Sequence, residues 1–476
     1  MNARSAANER LTKRAKRFPD FDGGSVETAG LDERDAGLAS AIDHAAARRW
    51  LTLSQVADSR LDRQRWGMLQ AEVKAALVSG AAQIMLMDRL PVHAVIDETV
   101  EWIKGTQRAG AAGLVNAVLR KVAKLKVGVA ERSSEGSRTA GEWGRDEMPL
   151  SDGRVVKLAE EVFSDGPVTR LAEQTSHSEE LISHWVNGFG LEEARKLASH
   201  SLMEPPIVVS GLREEGAKRE GIRAHEESGF FVFEGSRGGL EALMREERGA
   251  VVQDVTSAMA MIGASRAMRG EGAEGMLQRV RKVSGGKGEV GRDVKLVVDA
   301  CAGRGTKTRQ LAMMFEGAEI VASDVDARKL EELERNRKGW MGGERVSVEM
   351  PVELIKLAGR ADVLVLDVPC SNTGVLARRD EAKHRWNVAR LRQLINIQRQ
   401  IVADTLAVLK DDGRLVYCTC SVDEMENEKQ AEWVCEWHGM HIVGSGKRMP
   451  MGLPGEDVCG YCDGGYWAVM ERKRGS

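Results

Sequence analysis

The chain has 476 residues, more than one ordinary core can use, and length taken as a soft guide allows about three domains. Its 69 Lys plus Arg against 72 Asp plus Glu leave a formal net charge of −3, which excludes a global basic field, so contact with nucleic acid has to come from local patches. Seven cysteines (301, 370, 418, 420, 435, 459 and 462), all in the last third or so of the chain, exclude a disulfide scaffold and point to a reducing, cytoplasmic setting. The N-terminus carries Arg4, Glu9, Arg10 and Lys13 without the apolar core of a signal peptide, and the longest nearly apolar stretch, 77–87, is far short of a membrane span. A soluble intracellular protein without a membrane partner is expected.

Residues 1–126 read as all-α: Leu69, Val73, Leu77, Gly80 and Ile84 recur at helical spacing, as do Val95, Ile96, Val100 and Ile103. A further helical signal over 114–121 ends in Arg120 and Lys121, which suit a helix C-terminus. The basic cluster Lys13–Arg17 is weighed as a solvated arm ahead of a phosphate contact. Residues 127–149 turn to Ser, Gly, Glu and Arg and are expected to be a linker. A small α+β middle domain is expected over 150–250, with helical Leu181, Ile182 and Trp185 before strand-like runs at 206–209 and 230–233.

From 251 to 476 strands alternate with helices, with a Gly, Lys, Arg and Glu-rich loop insertion expected over 270–293. The apolar runs 294–298 and 320–322 are each followed by a helix, and Gly413 is expected to cap the long helix that contains Leu391, Ile395 and Leu406. The fold class is therefore α/β, a parallel Rossmann-like sheet after an all-α region and a small α+β region.

Three stretches carry chemistry. The turn Asp299-Ala300-Cys301-Ala302-Gly303-Arg304-Gly305-Thr306-Lys307 follows a strand, and its glycines let the backbone turn tightly and approach a ligand at a helix N-terminus. Asp324, after the next strand, stands where an acid can take two ribose hydroxyls. A Walker loop and a dinucleotide fingerprint both match poorly, and a Gly turn that only packs a helix is the safer reading of this loop alone. Asp367-Val368-Pro369-Cys370-Ser371-Asn372-Thr373-Gly374 and Tyr417-Cys418-Thr419-Cys420-Ser421 each follow a buried apolar run, and ligands sit at strand C-terminal ends in open α/β sheets, so the two cysteines could meet in one cleft. Cys459-Gly460-Tyr461-Cys462 has zinc-like spacing without a second ligand pair, and no metal site is expected.

Asp-Ala-Cys-Ala at 299–302 with Gly305 and Lys307, Asp-Val-Pro-Cys-Ser at 367–371, Thr-Cys-Ser at 419–421 with Glu426-Asn427-Glu428, and Asp463-Gly464-Gly465-Tyr466-Trp467 together resemble the RNA cytosine-5 methyltransferases of the RsmB/Sun/NSUN superfamily. The stretches 32–39 and 113–120 resemble the NusB-like RNA-binding domain carried by the RsmB branch. The resemblance implies a class I methyltransferase domain, S-adenosylmethionine as cofactor and 16S ribosomal RNA as partner. Transfer RNA stays open as a substrate, as does a decayed enzyme acting as an assembly factor, whereas DNA is not expected.

The resemblance makes Cys420 the nucleophile at C6 and Cys370 the residue that assists elimination, with Asp367 on the cytosine edge. It puts Cys301, Ala302, Gly303, Arg304, Gly305, Thr306, Lys307, Asp324 and Asp367 around the cofactor. Lys307 is left with two roles, lowering a thiol pKa or orienting a carboxylate. Cys418 reads as a buried hydrophobe. The family loop usually has Ala-Pro-Gly-Gly where this chain has Gly303-Arg304-Gly305-Thr306, and the usual Arg-Arg-x-Pro is Arg378-Arg379-Asp380-Glu381. The acid on the adenine side is unassigned, with Glu349 and Glu353 nearby.

Overall fold

Alanine-rich amphipathic sequence becomes helix at the N-terminus. In the computed structural model, which describes residues 2–21, 23–62, 65–131, 141–268 and 294–473, helices span Ala3–Arg17, Glu33–Arg48, Trp50–Asp58, Ala71–Leu86, Val92–Lys104 and Ala112–Leu125. The first two are capped by the side chains of Asn2 and Asp32, which accept from the N–H groups of Ser5 and Asp35. Helix Ala71–Leu86 is buried nearly all round and runs through the middle of the bundle. Gly80 lets it close on Ala112–Leu125, because a Cβ there would lie 2.6 Å from both methyl carbons of Leu119.

The chain forms two compact units. One comprises Met1–Glu204 with Leu376–Val388 and Leu453–Glu456; the other comprises Pro205–Val375, Ala389–Gly452 and Asp457–Ser476. In the first unit, strand β1 (Lys126–Ala130) pairs antiparallel with β3 (Val155–Leu158), which also pairs with β2 (Glu147–Pro149). Part of the stretch expected to be a linker is thus strand, because Val129 and its neighbours find a ladder partner in β3. The Ser- and Gly-rich centre of that stretch, 132–140, lies outside the described residues.

The stretch 150–250, expected as one region, is divided between the units. Its helices Pro167–Thr175, Glu179–Phe189 and Leu191–His200 belong with the N-terminal helices. Arg49 donates to the carbonyls of Pro149 and Gln174, and Thr52 donates to that of Glu173. Strands β4 (Ile207–Ser210), β5 (Ile222–Ala224), β6 (Phe230–Phe233) and β7 (Val251–Val252) form a four-stranded antiparallel sheet in the second unit. Val208 and Phe230 from this sheet share a core with Val255, Ala258 and Met259 of helix Val255–Met268.

The main sheet has seven strands: β8 (Leu296–Asp299), β9 (Glu319–Ser323), β10 (Val346–Glu349), β11 (Ala361–Asp367), β12 (Leu409–Thr419), β13 (Met440–Arg448) and β14 (Gly465–Arg472). Their order is β10-β9-β8-β11-β12-β14-β13. All pairs are parallel except those made by β14, which runs antiparallel to both neighbours. Alternate residues feed two cores: Leu296, Val298, Leu364 and Leu366 lie on one face, Val297, Val363 and Val365 on the other. Covered on both faces, the strands read as continuous apolar runs. Strand order reverses between β8 and β11, and ligands bind at such a switch point, outside the strand C-terminal ends.

Gly413 is not a helix cap. The long helix ends at Thr405, and Gly413 lies inside β12, where a Cβ would come within 2.8 Å of the Ala361 carbonyl. Its role is a close backbone approach at the irregularity in the β11–β12 ladder. The expected insertion 270–293 lies outside the described residues. Among the described residues no helix is long and apolar enough to cross a membrane.

Candidate active site

The loops after β8 and β11 flank the switch point, and the loop after β9 borders the first of them. After β8 the chain turns through Gly303 (φ +57°) and Gly305 (φ +89°) into helix Thr306–Met314. Gly305 is required twice over, since its backbone is left-handed and a Cβ would lie 2.5 Å from Trp340. Gly303 donates its N–H to Asp324 Oδ2 at 2.9 Å, and Ala302 donates to the Ser323 carbonyl at 2.8 Å, so the end of β9 holds the turn. Asp324 Oδ1 accepts from Asp326 N at 2.8 Å, which leaves each carboxylate oxygen a further lone pair. Arg304 is exposed and pairs with Glu332 at 2.9 Å.

Asp299 is fully buried. Its Oδ2 accepts from Thr308 Oγ1 at 2.7 Å, its Oδ1 finds no side-chain partner among the described residues, and burial pushes its pKa up to about 7. Burial and the nearby Asp299 push the Cys301 thiol well up. Lys307 Nζ donates to Asp367 Oδ2 at 2.7 Å; burial opposes its charge, but the adjacent carboxylate outweighs that and raises its pKa. Of the two roles open to Lys307, the contact formed is the one with a carboxylate.

These residues suit a nucleoside cofactor. The Gly303 position opens onto space, with nothing within 4 Å of where a Cβ would stand, and Asp324 offers acceptors beside it. Val325 is 87% exposed at the end of β9, and Val352 and Ile355 are exposed after β10, giving apolar surface for a base. Glu349 closes β10, and Glu353 pairs with Lys356.

Parallel pairing of β11 with β12 sets Asp367 opposite Cys418. Beyond the strands the two loops stay joined: Val368 donates to the Cys418 carbonyl, and Gly374 donates to that of Cys420 at 3.0 Å. Cys370 Sγ and Cys420 Sγ consequently lie 3.1 Å apart. The contact with Cys420, together with burial, raises the Cys370 pKa. Cys418 points away into the core, where burial pushes its thiol well up. Cys462 is buried 3.5 Å from Arg448 Nη1.

A buried polar network locks the two cysteine loops together. Glu426 Oε1 accepts from Ser371 N at 2.9 Å and from Gln398 Nε2 at 3.0 Å, and its Oε2 accepts from Ser371 Oγ. Burial raises the Glu426 pKa against these bonds. Tyr417 donates to the Glu426 carbonyl at 2.8 Å, and Asn427 ties Thr419 to the Ser421 carbonyl. Sequence reasoning took Glu426-Asn427-Glu428 only as a motif and missed Gln398 and Asn372. Gln398 had a signal: it sits on the buried stripe Leu391, Ile395, Val402 of its helix, a polar residue at an apolar position.

Two family models match the chain: 16S rRNA methyltransferase RsmB/F over residues 291–443, and the NusB family over residues 1–124. Ribosomal RNA small subunit methyltransferase B of Vibrio vulnificus is 25% identical over 494 residues, covering 99% of this chain and all of its own length. A probable ribosomal RNA small subunit methyltransferase B of Bacillus subtilis is 24% identical, covering 73% of this chain and 68% of its own. The crystal structure of PH0851 superposes with a TM-score of 0.67 at 16% identity, covering 99% of both chains, a likeness of fold. The two matches and the names of the relatives support an RNA methyltransferase of the RsmB/Sun type, with a NusB-like N-terminal region and S-adenosylmethionine as its cofactor.

Proposed function

We propose that this protein methylates C5 of a cytidine in 16S ribosomal RNA through a covalent adduct between Cys420 and C6. Cytosine C5 is too weakly nucleophilic to attack a sulfonium methyl group unaided, so a nucleophile must first add at C6. Cys420 gives up its thiol proton to solvent, its Sγ forms the bond to C6 as the C5–C6 π bond opens, and the displaced electron pair makes C5 the nucleophile. Bound S-adenosylmethionine supplies the electrophilic methyl group that C5 takes up. Loss of the C5 proton then returns the electron pair, the Cys420–C6 bond breaks, and Cys370 assists that elimination. Asp367, oriented by Lys307, hydrogen-bonds the cytosine edge and borders the cofactor.

Cys301, Ala302, Gly303, Arg304, Gly305, Thr306 and Lys307 would hold the cofactor, and Asp324 would take its ribose hydroxyls. The observation that carries this reading is the 3.1 Å approach of two thiols from separate strand ends beside the Asp367–Lys307 pair. A structural role would need one buried cysteine, not a pair with Cys420 left half-buried. The target base has to be unstacked to present C6, so a looped or locally melted RNA is the expected substrate.

The test is incubation with tritiated S-adenosylmethionine and unmodified 16S RNA, transfer RNA and DNA in parallel, followed by bisulfite mapping. Label at one 16S cytosine is expected, and label only on transfer RNA would move the substrate. Cys420→Ala should abolish transfer, and Cys370→Ala should accumulate an RNA adduct seen as a shifted band on a denaturing gel. Transfer retained by Cys420→Ala would overturn the mechanism.

A further inference from the structure

Asn372 is one of two non-glycine residues with positive φ among the described residues, at +60°, and it sits between the two cysteines. Its Nδ2 donates to the Cys370 carbonyl at 3.0 Å, and its Oδ1 lies 3.2 Å from Cys420 Sγ. A left-handed backbone at a residue with a side chain is sparsely populated, and surroundings that enforce it cluster at functional sites. Here Gly374 N on the Cys420 carbonyl and Val375 N on the Asn372 carbonyl fix the turn.

The orientation of the carboxamide follows from its partners. A backbone carbonyl only accepts, so the amide must turn its NH₂ to Cys370 and its oxygen to Cys420. An amide oxygen also only accepts, so the Cys420 S–H is the donor. The single Cys420 proton being committed to Asn372, the 3.1 Å contact between the sulfurs is made by the Cys370 S–H donating to Cys420. We propose that Asn372 is a further catalytic residue, whose carboxamide oxygen accepts from the Cys420 S–H and aims that sulfur in the resting enzyme while its NH₂ anchors the Cys370 loop. Hydrogen bonding to the neutral form of an acid disfavours the charged form. The Cys370 S–H is then the donor that remains to Cys420 Sγ when that sulfur gives up its proton and forms its bond to C6.

This deepens the reading of Cys420 as nucleophile and rests on it. The test is the pH profile of Cys420 alkylation by iodoacetamide, read by peptide mass spectrometry on full-length wild type, Asn372→Gly and Asn372→Asp. Glycine keeps the positive φ and removes the acceptor; aspartate is isosteric and replaces the amide with an anion. Expected is a lower midpoint for Asn372→Gly than for wild type, and for Asn372→Asp alkylation about tenfold slower at neutral pH, one pH unit of displacement. Single-turnover methyl transfer should fall in Asn372→Gly, and a urea unfolding midpoint equal to that of wild type separates this from loss of fold, which would also expose the thiol to the reagent. An Asn372→Gly profile superimposable on wild type overturns the proposal. Alkylation needs neither RNA nor cofactor, so absence of methyl transfer in the wild type would refute the proposed function and leave this result standing.

Discussion

The two ends of the candidate site are built on different principles, although one sheet supports both. The cofactor end is made of backbone turns, two glycines and the carboxylates of Asp324 and Asp367, with Arg304 and Val325 exposed. The cysteine end is sealed: Glu426, Ser421 and Gln398 are fully buried, and hydrogen bonds there tie one loop to the other and to the helix beneath. A surface grip degrades gradually when side chains are lost. A buried network fails abruptly, because every removed acceptor strands a donor without water.

The largest departure should follow from Glu426→Ala, which leaves the Ser371 N–H, the Ser371 hydroxyl and the Gln398 amide without their acceptor. At about 1–3 kcal/mol for each of these three buried groups, a loss of about 3–9 kcal/mol is expected in denaturant unfolding. Methyl transfer should fall at least about a hundredfold, since displacement of a reacting group by an ångström costs that much. Stability within about 1 kcal/mol of wild type would break the contrast.

Asp299 comes next, the one sealed acid at the cofactor end. Its folded pKa stands above its unfolded value, so the native state holds a proton the unfolded chain has released, and stability falls as pH rises from about 4 to about 7. The whole effect, up to about 4 kcal/mol, is present above pH 7. Asp299→Asn retains the bond from Thr308 and removes the titration. The variant should gain on wild type progressively between about pH 4.5 and 7.5 in parallel urea titrations, and a constant difference across that range would refute the assignment.

Lys307→Met should be intermediate. It removes the cation from a one-third-exposed Asp367, and methyl transfer is expected to fall about tenfold with little change in unfolding midpoint. The smallest effect belongs to Arg304→Ala: an exposed pair with Glu332 is worth under about 1 kcal/mol, so cofactor affinity by calorimetry should stay within about threefold. A larger loss would show that the Arg304 side chain, and not only the backbone of its turn, holds the cofactor, and would blur the two ends.

The sheet was legible because β8, β9, β11 and β12 are apolar runs with punctuation, and the cysteine pair because each motif follows such a run. What escaped were features decided by partners distant in sequence. Val129 reads as linker until β3 supplies its ladder, and Gly413 reads as a cap until Ala361 is seen against it. Asn372 reads as an ordinary turn residue, since its meaning depends on a sulfur 48 residues away. Glu426 shows the same limit: its spacing from Cys420 was visible, its grip on Ser371 was not.

Leu376–Val388, which follows the Cys370 loop directly, belongs to the first unit. His384 from this segment donates Nε2–H to the Ala47 carbonyl at 2.9 Å and packs against Phe21 with ring centroids 5.3 Å apart. The helical unit is therefore not a contiguous piece of chain. A fragment ending at Glu204 would lack the side chain that covers Phe21, so gene dissection at that boundary should yield a sticky, poorly folding product. The same interleaving means that an insertion or deletion between 376 and 388 is felt in a core whose other members, Ala47 among them, were translated 337 residues earlier.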